Sequence, residues 1–164
     1  DGVTLGYTAE VLKEFKPKLL VVNLSSVDVC HGNFTSYLKA LHRADAGVGW
    51  LWNLIQTQIP EMAGKTTILL SPECGRNANP NPITDENNWV AYDHSDSNTR
   101  RVFTMMAGAA MGSNRGTYAS DWDLSNPGAY TTDNVLTIAD IMGIKNDIPP
   151  GFMYGPSRSL FDRF

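Results

Sequence analysis

Short apolar runs that alternate with helical patterns are the feature that most restricts the fold of this chain. The apolar runs occupy residues 19–24, 66–70 and 102–108, and the helical patterns occupy residues 8–16, 34–58 and 135–142. The run at 19–24 is continuously apolar, which is typical of a strand that is covered on two sides, and the other two runs are predicted as further strands of the same sheet. The alternation predicts an α/β fold of three layers, α/β/α, with a mostly parallel sheet.

The longest predicted helix, residues 34–58, has the clearest boundaries. Asn33 or Thr35 can cap its start, and Pro60 lies just past its end. Apolar residues spaced by three or four positions define one buried face. They are Tyr37, Leu41, Ala44, Val48, Leu51 and Ile55. Near the end of the sequence, Gly143 is predicted to terminate the last helix.

Composition excludes two classes of partner. The formal net charge is −4 and the lysines and arginines are scattered, so the chain has no basic patch for nucleic acid. No apolar stretch approaches the ~20 residues of a membrane-spanning helix, and we therefore expect no membrane span. Two cysteines, Cys30 and Cys74, are too few for a scaffold built on disulfides.

Candidate metal ligands lie next to each predicted strand. Asp28 and His31 follow the first run, Glu73 and Cys74 follow the second, and His94 precedes the third. In an open α/β sheet, ligands bind beyond the carboxyl ends of the strands. Carboxylate and imidazole groups suit zinc, and a thiolate strengthens that preference. Each residue alone is more often a plain loop or buried residue, so the prediction depends on three loops that meet at one edge.

The order of these motifs resembles the C-terminal half of the alkaline phosphatase superfamily. The motifs are Asp-x-x-His at 28–31, a long helix containing Asp45, a Thr-Thr strand, an acidic residue before Gly75-Arg76, Asp93-His94, and the helix at 131–144. That superfamily includes phosphatases, sulfatases, nucleotide pyrophosphatases and cofactor-independent phosphoglycerate mutases. The resemblance implies that residues 1–164 are the C-terminal part of one α/β domain, whose sheet a missing N-terminal segment or another chain completes.

The resemblance also implies a site and an activity. Asp28, His31 and His94 would bind one divalent metal ion, which in the family is usually zinc, and the Glu73-Cys74 pair would contribute to a second. Arg76 would bind the anionic group of the substrate, because its planar fork matches phosphate or sulfate. The nucleophile would come from the missing N-terminal segment. The implied function is a metal-dependent hydrolase that acts on small-molecule phosphate or sulfate esters.

Departures from the family pattern leave a second interpretation open. The family spacing is Asp-x-x-x-His, and the Asp28–His31 spacing is one residue shorter, which shifts a loop ligand by ~3.5 Å. The Glu73-Cys74 pair replaces Asp-His, and a cysteine binds zinc only as a thiolate. The alternative is a catalytically degenerate module with a binding or structural role. A plain α/β domain with an accidental resemblance is the third interpretation.

Three smaller questions stay open at this level. Arg76 could equally pair with a nearby carboxylate. Cys30 and Cys74 could form a disulfide, which would point to an oxidising, extracytoplasmic compartment, although two free thiols are the default. Asn23-Leu24-Ser25 and Asn33-Phe34-Thr35 match the glycosylation pattern, which often arises by chance.

Overall fold

The computed structural model describes residues 1–82, 89–112 and 128–163. The chain divides into two compact units. The first unit contains Asp1–Thr66 and Arg76–Asn98, and the second contains Thr67–Gly75 and Thr99–Phe164. In the described ranges, no helix combines the length and the apolar character that crossing a membrane requires.

The first unit is built on two helices, α1 (Gly2–Phe15) and α2 (Phe34–Gln58). Apolar residues at helical spacing form its core. They are Leu5, Ala9 and Leu12 from α1, Leu51, Leu54 and Ile55 from α2, and Ile59 just beyond α2. Gly47 allows α2 to approach α1 closely, because a Cβ atom at this position would overlap Leu5 Cδ1.

The helix prediction for 34–58 is confirmed at both ends. Asn33 is the cap, and its Oδ1 accepts a hydrogen bond from the Ser36 N–H at 2.7 Å. The prediction for α1 is correct only in part, since α1 starts at Gly2 rather than at residue 8. It ends where Lys16 adopts a left-handed conformation with φ of 45°, just before a proline.

The prediction of a strand at residues 19–24 is wrong. This segment has no regular secondary structure, and Leu19, Leu20 and Val21 are exposed. Apolar composition expresses a preference for burial, whereas a strand also needs a neighbour that supplies hydrogen-bond partners. Among the described residues, the only strand pairing joins two other segments.

The second unit contains two strands, β1 (Thr67–Leu70) and β2 (Met105–Gly108), and one α-helix, α3 (Asp133–Ile141). The strands are antiparallel, with Thr67 opposite Gly108 and Leu70 opposite Met105. Gly143 follows α3 with φ of 73°, so the predicted glycine terminator is confirmed. Short 3₁₀ helices follow at Lys145–Asp147 and Leu160–Asp162.

The predicted three-layer α/β/α fold with a mostly parallel sheet is therefore wrong. The described residues contain three α-helices and a single sheet of two antiparallel strands. Two parallel neighbours need a long crossover, usually a helix, whereas antiparallel neighbours do not. In the described part of the chain between β1 and β2, the only helix is the short 3₁₀ helix Ser97–Arg100. Residues 83–88 of this connection lie outside the described ranges.

Candidate metal centre

Three potential metal ligands lie together in the first unit: His31, Asp93 and His94. One donor atom from each residue lies within 4.8 Å of the other two. His31 Nδ1 is 2.9 Å from Asp93 Oδ1, and His94 Nε2 is 4.0 Å from the same oxygen. The two imidazole rings meet edge to face, with centroids 4.7 Å apart.

Two backbone hydrogen bonds place the loop that carries the carboxylate next to the first histidine. His31 is the last residue of the 3₁₀ helix Ser26–His31, which directly precedes α2. The Tyr92 N–H donates to the Cys30 carbonyl at 3.1 Å, and the Phe34 N–H donates to the Val90 carbonyl at 2.8 Å. The loop therefore runs beside the junction between the 3₁₀ helix and α2.

Two asparagine side chains hold the same loop from its other side. Asn77 Oδ1 accepts from the N–H groups of Ser95 and Asp96 at 2.7 and 2.9 Å, and Asn77 Nδ2 donates to Ser95 Oγ at 3.0 Å. The Asn77 N–H donates to the Asp93 carbonyl at 2.8 Å, and Asn81 Oδ1 accepts from the Asp93 N–H at 2.7 Å. An amide side chain suits this task, because it accepts and donates at once.

The second ring nitrogen of His31 faces a cation and an anion. Arg76 Nη1 lies 3.0 Å from His31 Nε2, and Asp28 Oδ1 lies 3.2 Å from it. Arg76 Nη2 also donates to the Val27 carbonyl at 3.4 Å and lies 3.9 Å from Asp28 Oδ1. Arginine has only donors, so its contact favours a lone pair on Nε2, whereas the Asp28 carboxylate beside the same nitrogen favours a proton there. The contacts of Nε2 are therefore compatible with either tautomer of His31.

Hydrogen bonding and burial set the charge of two groups at the site. The backbone N–H of His94 is the main cause that lowers the pKa of Asp93; desolvation opposes it, and the neighbouring His31 and His94 side chains lower the pKa further. Burial raises the pKa of the Cys30 thiol, although the charge of Arg76 and the backbone of Tyr92 oppose the shift. Asp93 is thus a ready anionic ligand, whereas Cys30 favours the protonated thiol.

The donor set fits zinc. Two imidazoles and one carboxylate are three protein ligands of the kind that hold a catalytic zinc ion and leave one position open. Bonds of about 2.0–2.2 Å in tetrahedral geometry place donors about 3.3–3.6 Å apart. The 4.0 Å between His94 Nε2 and Asp93 Oδ1 therefore needs a small contraction, whereas the 2.9 Å between His31 Nδ1 and that oxygen needs a small opening.

The structure brings together two of the residues that the sequence predicted as ligands, His31 and His94. Asp28 touches the His31 ring but is not one of the three grouped donors, and its side chain is 76% exposed. Glu73 and Cys74 belong to the second unit. Cys30 is buried and Cys74 is partly buried, and the structure contains no bond between them.

Asp93 is the ligand candidate that the sequence prediction did not include. The signal was present, because Asp93 directly precedes His94 in a dipeptide that the motif order already contained. Arg76 contacts both His31 and Asp28. The alternative prediction, that Arg76 pairs with a nearby carboxylate, therefore accounts for one of these two contacts.

No family model, no curated protein and no solved structure matches this chain. The resemblance to the alkaline phosphatase superfamily therefore stays a prediction from the order of the motifs. The side chains of the first unit are the basis on which a function can be assigned.

Proposed function

We propose that the first unit binds a divalent metal ion, zinc by preference, through His31, Asp93 and His94. The observation that carries this proposal is that their donor atoms lie within 4.8 Å of one another. Imidazole and carboxylate groups together suit zinc better than they suit magnesium or calcium, which take mostly oxygen ligands. Hydrogen bonds from Asn77 and Asn81 support the loop that carries two of the three ligands.

The further proposal is that this centre serves the hydrolysis of small-molecule phosphate or sulfate esters. A zinc ion with an open position acts as a Lewis acid and lowers the pKa of bound water. Arg76 lies next to His31, and its guanidinium group offers paired N–H donors that match an oxyanion. Asp28, which lies 3.2 Å from His31 Nε2, is placed to orient that ring.

A degenerate module that binds metal without turnover is the second candidate. The observation that favours it is the Glu73-Cys74 pair, which stands where the resembled family has Asp-His. The three grouped donors His31, Asp93 and His94 provide for one ion. Hydrolysis that uses a two-metal clamp needs a second ion about 3.5–4 Å away.

Zinc titration by calorimetry tests the metal site, and the chain supplies its own control. It contains three histidines, His31, His42 and His94, and His42 lies exposed on α2 outside the cluster. We expect the wild-type chain to bind one zinc ion. His31→Ala and His94→Ala should each weaken binding by more than about 100-fold, because loss of a group that only supports a ligand already costs up to that factor. His42→Ala should bind as the wild type does. Equal affinity in all four proteins would exclude this site.

Turnover separates the two candidates. The wild-type chain, loaded with zinc, is assayed with a generic aryl phosphate and an aryl sulfate before and after a chelator. The hydrolase is supported if the wild-type chain releases phenolate and the chelator stops this release. His42→Ala should then retain the activity, and His94→Ala should lack it. Zinc binding without turnover of either ester supports the binding module.

A further inference from the structure

A neutral imidazole has one unprotonated nitrogen, and in the Nδ1–H tautomer of His31 this nitrogen already has a partner. In this tautomer Nδ1–H donates to Asp93 Oδ1 at 2.9 Å, and the lone pair resides on Nε2. Arg76 Nη1 lies 3.0 Å from Nε2 and can only donate to it. Arg76 therefore occupies the single lone pair through which a neutral His31 would bind a metal ion.

Metal binding breaks this contact whichever nitrogen the ion takes. If zinc binds Nε2, it replaces the Arg76 donor directly. If zinc binds Nδ1, the ring proton moves to Nε2. There it faces the N–H groups of Arg76, but Asp28 Oδ1, 3.2 Å from Nε2, can accept its hydrogen bond. A ligating histidine commonly donates its other N–H to a carboxylate in this way. In both cases the Arg76 guanidinium is released.

We propose that the metal-free chain holds His31 in its Nδ1–H tautomer and that Arg76 is a latch on this centre: it binds the His31 lone pair, and an oxyanion that binds Arg76 frees that lone pair for zinc. The inference rests on the proposed metal site and adds to it a positive coupling between zinc and phosphate or sulfate. Coupling of this kind is reciprocal, so zinc must raise the affinity for the anion by the same factor.

The other contacts of Arg76 are weak enough for an anion to replace them. Its Nη2 lies 3.4 Å from the Val27 carbonyl and 3.9 Å from Asp28 Oδ1, and its side chain is 21% exposed. An oxyanion offers the guanidinium two parallel, charge-assisted hydrogen bonds, which are stronger than a bond to a neutral imidazole. Asp28 is the competing carboxylate, and it is mostly exposed.

The test measures zinc affinity by calorimetry in chloride and in sulfate at equal ionic strength. Sulfate should tighten zinc binding to the wild-type chain by about fivefold, the scale of one net hydrogen bond. In Arg76→Met, zinc should bind more tightly than to the wild type in chloride, and sulfate should have no effect. Arg43→Met removes an exposed arginine from α2 and should behave as the wild type. Arg76→Lys, which keeps the charge but loses the fork, should show a reduced sulfate effect.

The outcomes distinguish the two proposals. Absence of zinc binding in the wild type overturns the metal site, and the latch with it. Zinc binding that sulfate does not change in the wild type overturns the latch alone. A sulfate effect that persists in Arg76→Met also overturns it, because the anion would then act on the zinc ion directly. If Arg76→Met does not fold, imidazole ¹⁵N shifts of the wild type decide: the latch requires the Nδ1–H tautomer of His31 without metal.

Discussion

Asp133 in the second unit and Asp93 in the first unit are both held by hydrogen bonds, but only one of them is closed to a ligand. Asp133 is completely buried. Its Oδ1 accepts from the Arg158 N–H at 2.9 Å and from Arg163 Nη2 at 3.1 Å. Its Oδ2 accepts from the Tyr130 N–H at 2.8 Å and from Arg163 Nε. Protein donors therefore saturate both oxygens.

Asp93, by contrast, has a side chain that is 49% exposed. The His94 N–H and His31 Nδ1 both contact the same oxygen, Oδ1, each at 2.9 Å. The comparison teaches that a paired carboxylate is not by itself a functional site. Asp133 has its lone pairs filled and its surroundings dry, so it fixes structure, whereas Asp93 faces solvent beside two imidazoles and can accept a metal ion.

Substitution of Asp133 should give the largest effect. Asp133→Ala leaves the Arg163 guanidinium and two backbone N–H groups without their buried acceptor, and loss of one partner of a buried pair costs about 3–5 kcal/mol. Urea unfolding, followed by circular dichroism, measures the change in the free energy of unfolding. Asp147→Ala, at an exposed aspartate, is the control and should stay within about 0.5 kcal/mol. Equal stability of the two variants would contradict a structural role for Asp133.

Substitution of Asn77, which supports the loop of the solvent-exposed Asp93 carboxylate, should have an intermediate effect on stability. Asn77→Ala removes the acceptor of the Ser95 and Asp96 N–H groups, which should lower the free energy of unfolding by about 1–2 kcal/mol. If the proposed metal site exists, zinc affinity should also fall by about tenfold, as it does when a supporting group is lost. Asn79→Ala changes an exposed neighbour and should alter neither quantity. Unchanged zinc affinity in a folded Asn77→Ala variant would show that zinc binding does not depend on the hydrogen bonds of Asn77.

Acid pH should have the smallest effect on stability, and this effect should differ between the wild-type chain and the Asp93→Asn variant. The pKa of Asp93 is lowered, so its carboxylate contributes stability that is fully present above the usual value of 3.8. That contribution is lost as pH falls through the lower, folded value. Asp93→Asn should remove this part of the pH dependence, so its melting temperature should fall less steeply at acid pH than that of the wild type. The same fall in melting temperature in both proteins would show that the charge of Asp93 is not coupled to folding.

Local signals predicted the helices best. Asn33 and Gly143 act through hydrogen bonds and backbone conformation within one turn, so the sequence contains the information for the start of α2 and the end of α3. The predicted apolar face of α2 was less accurate, because Leu51 and Ile55 are buried whereas Leu41 is exposed. Periodicity identifies a face, but only packing against α1 decides which part of that face becomes core.

The sequence could not predict the sheet or the third ligand. The run at 19–24 is apolar, but no described strand pairs with it, and apolar composition does not supply a partner. Asp93 was visible beside His94, yet a dipeptide does not show which of its side chains faces His31. Only the backbone hydrogen bonds between Tyr92 and Cys30, and between Phe34 and Val90, bring that loop to the 3₁₀ helix.

The sequence by itself determined the start of α2 and the end of α3, and which imidazole and carboxylate groups are present, because these properties depend on a few neighbouring residues. Tertiary structure alone decided that β1 and β2 run antiparallel, that the Asp133 side chain is buried and that the Asp93 side chain is half exposed to solvent. Those outcomes depend on contacts between residues far apart in the chain. Such contacts form only when the gain from burial and pairing exceeds the conformational entropy of closing the intervening loop.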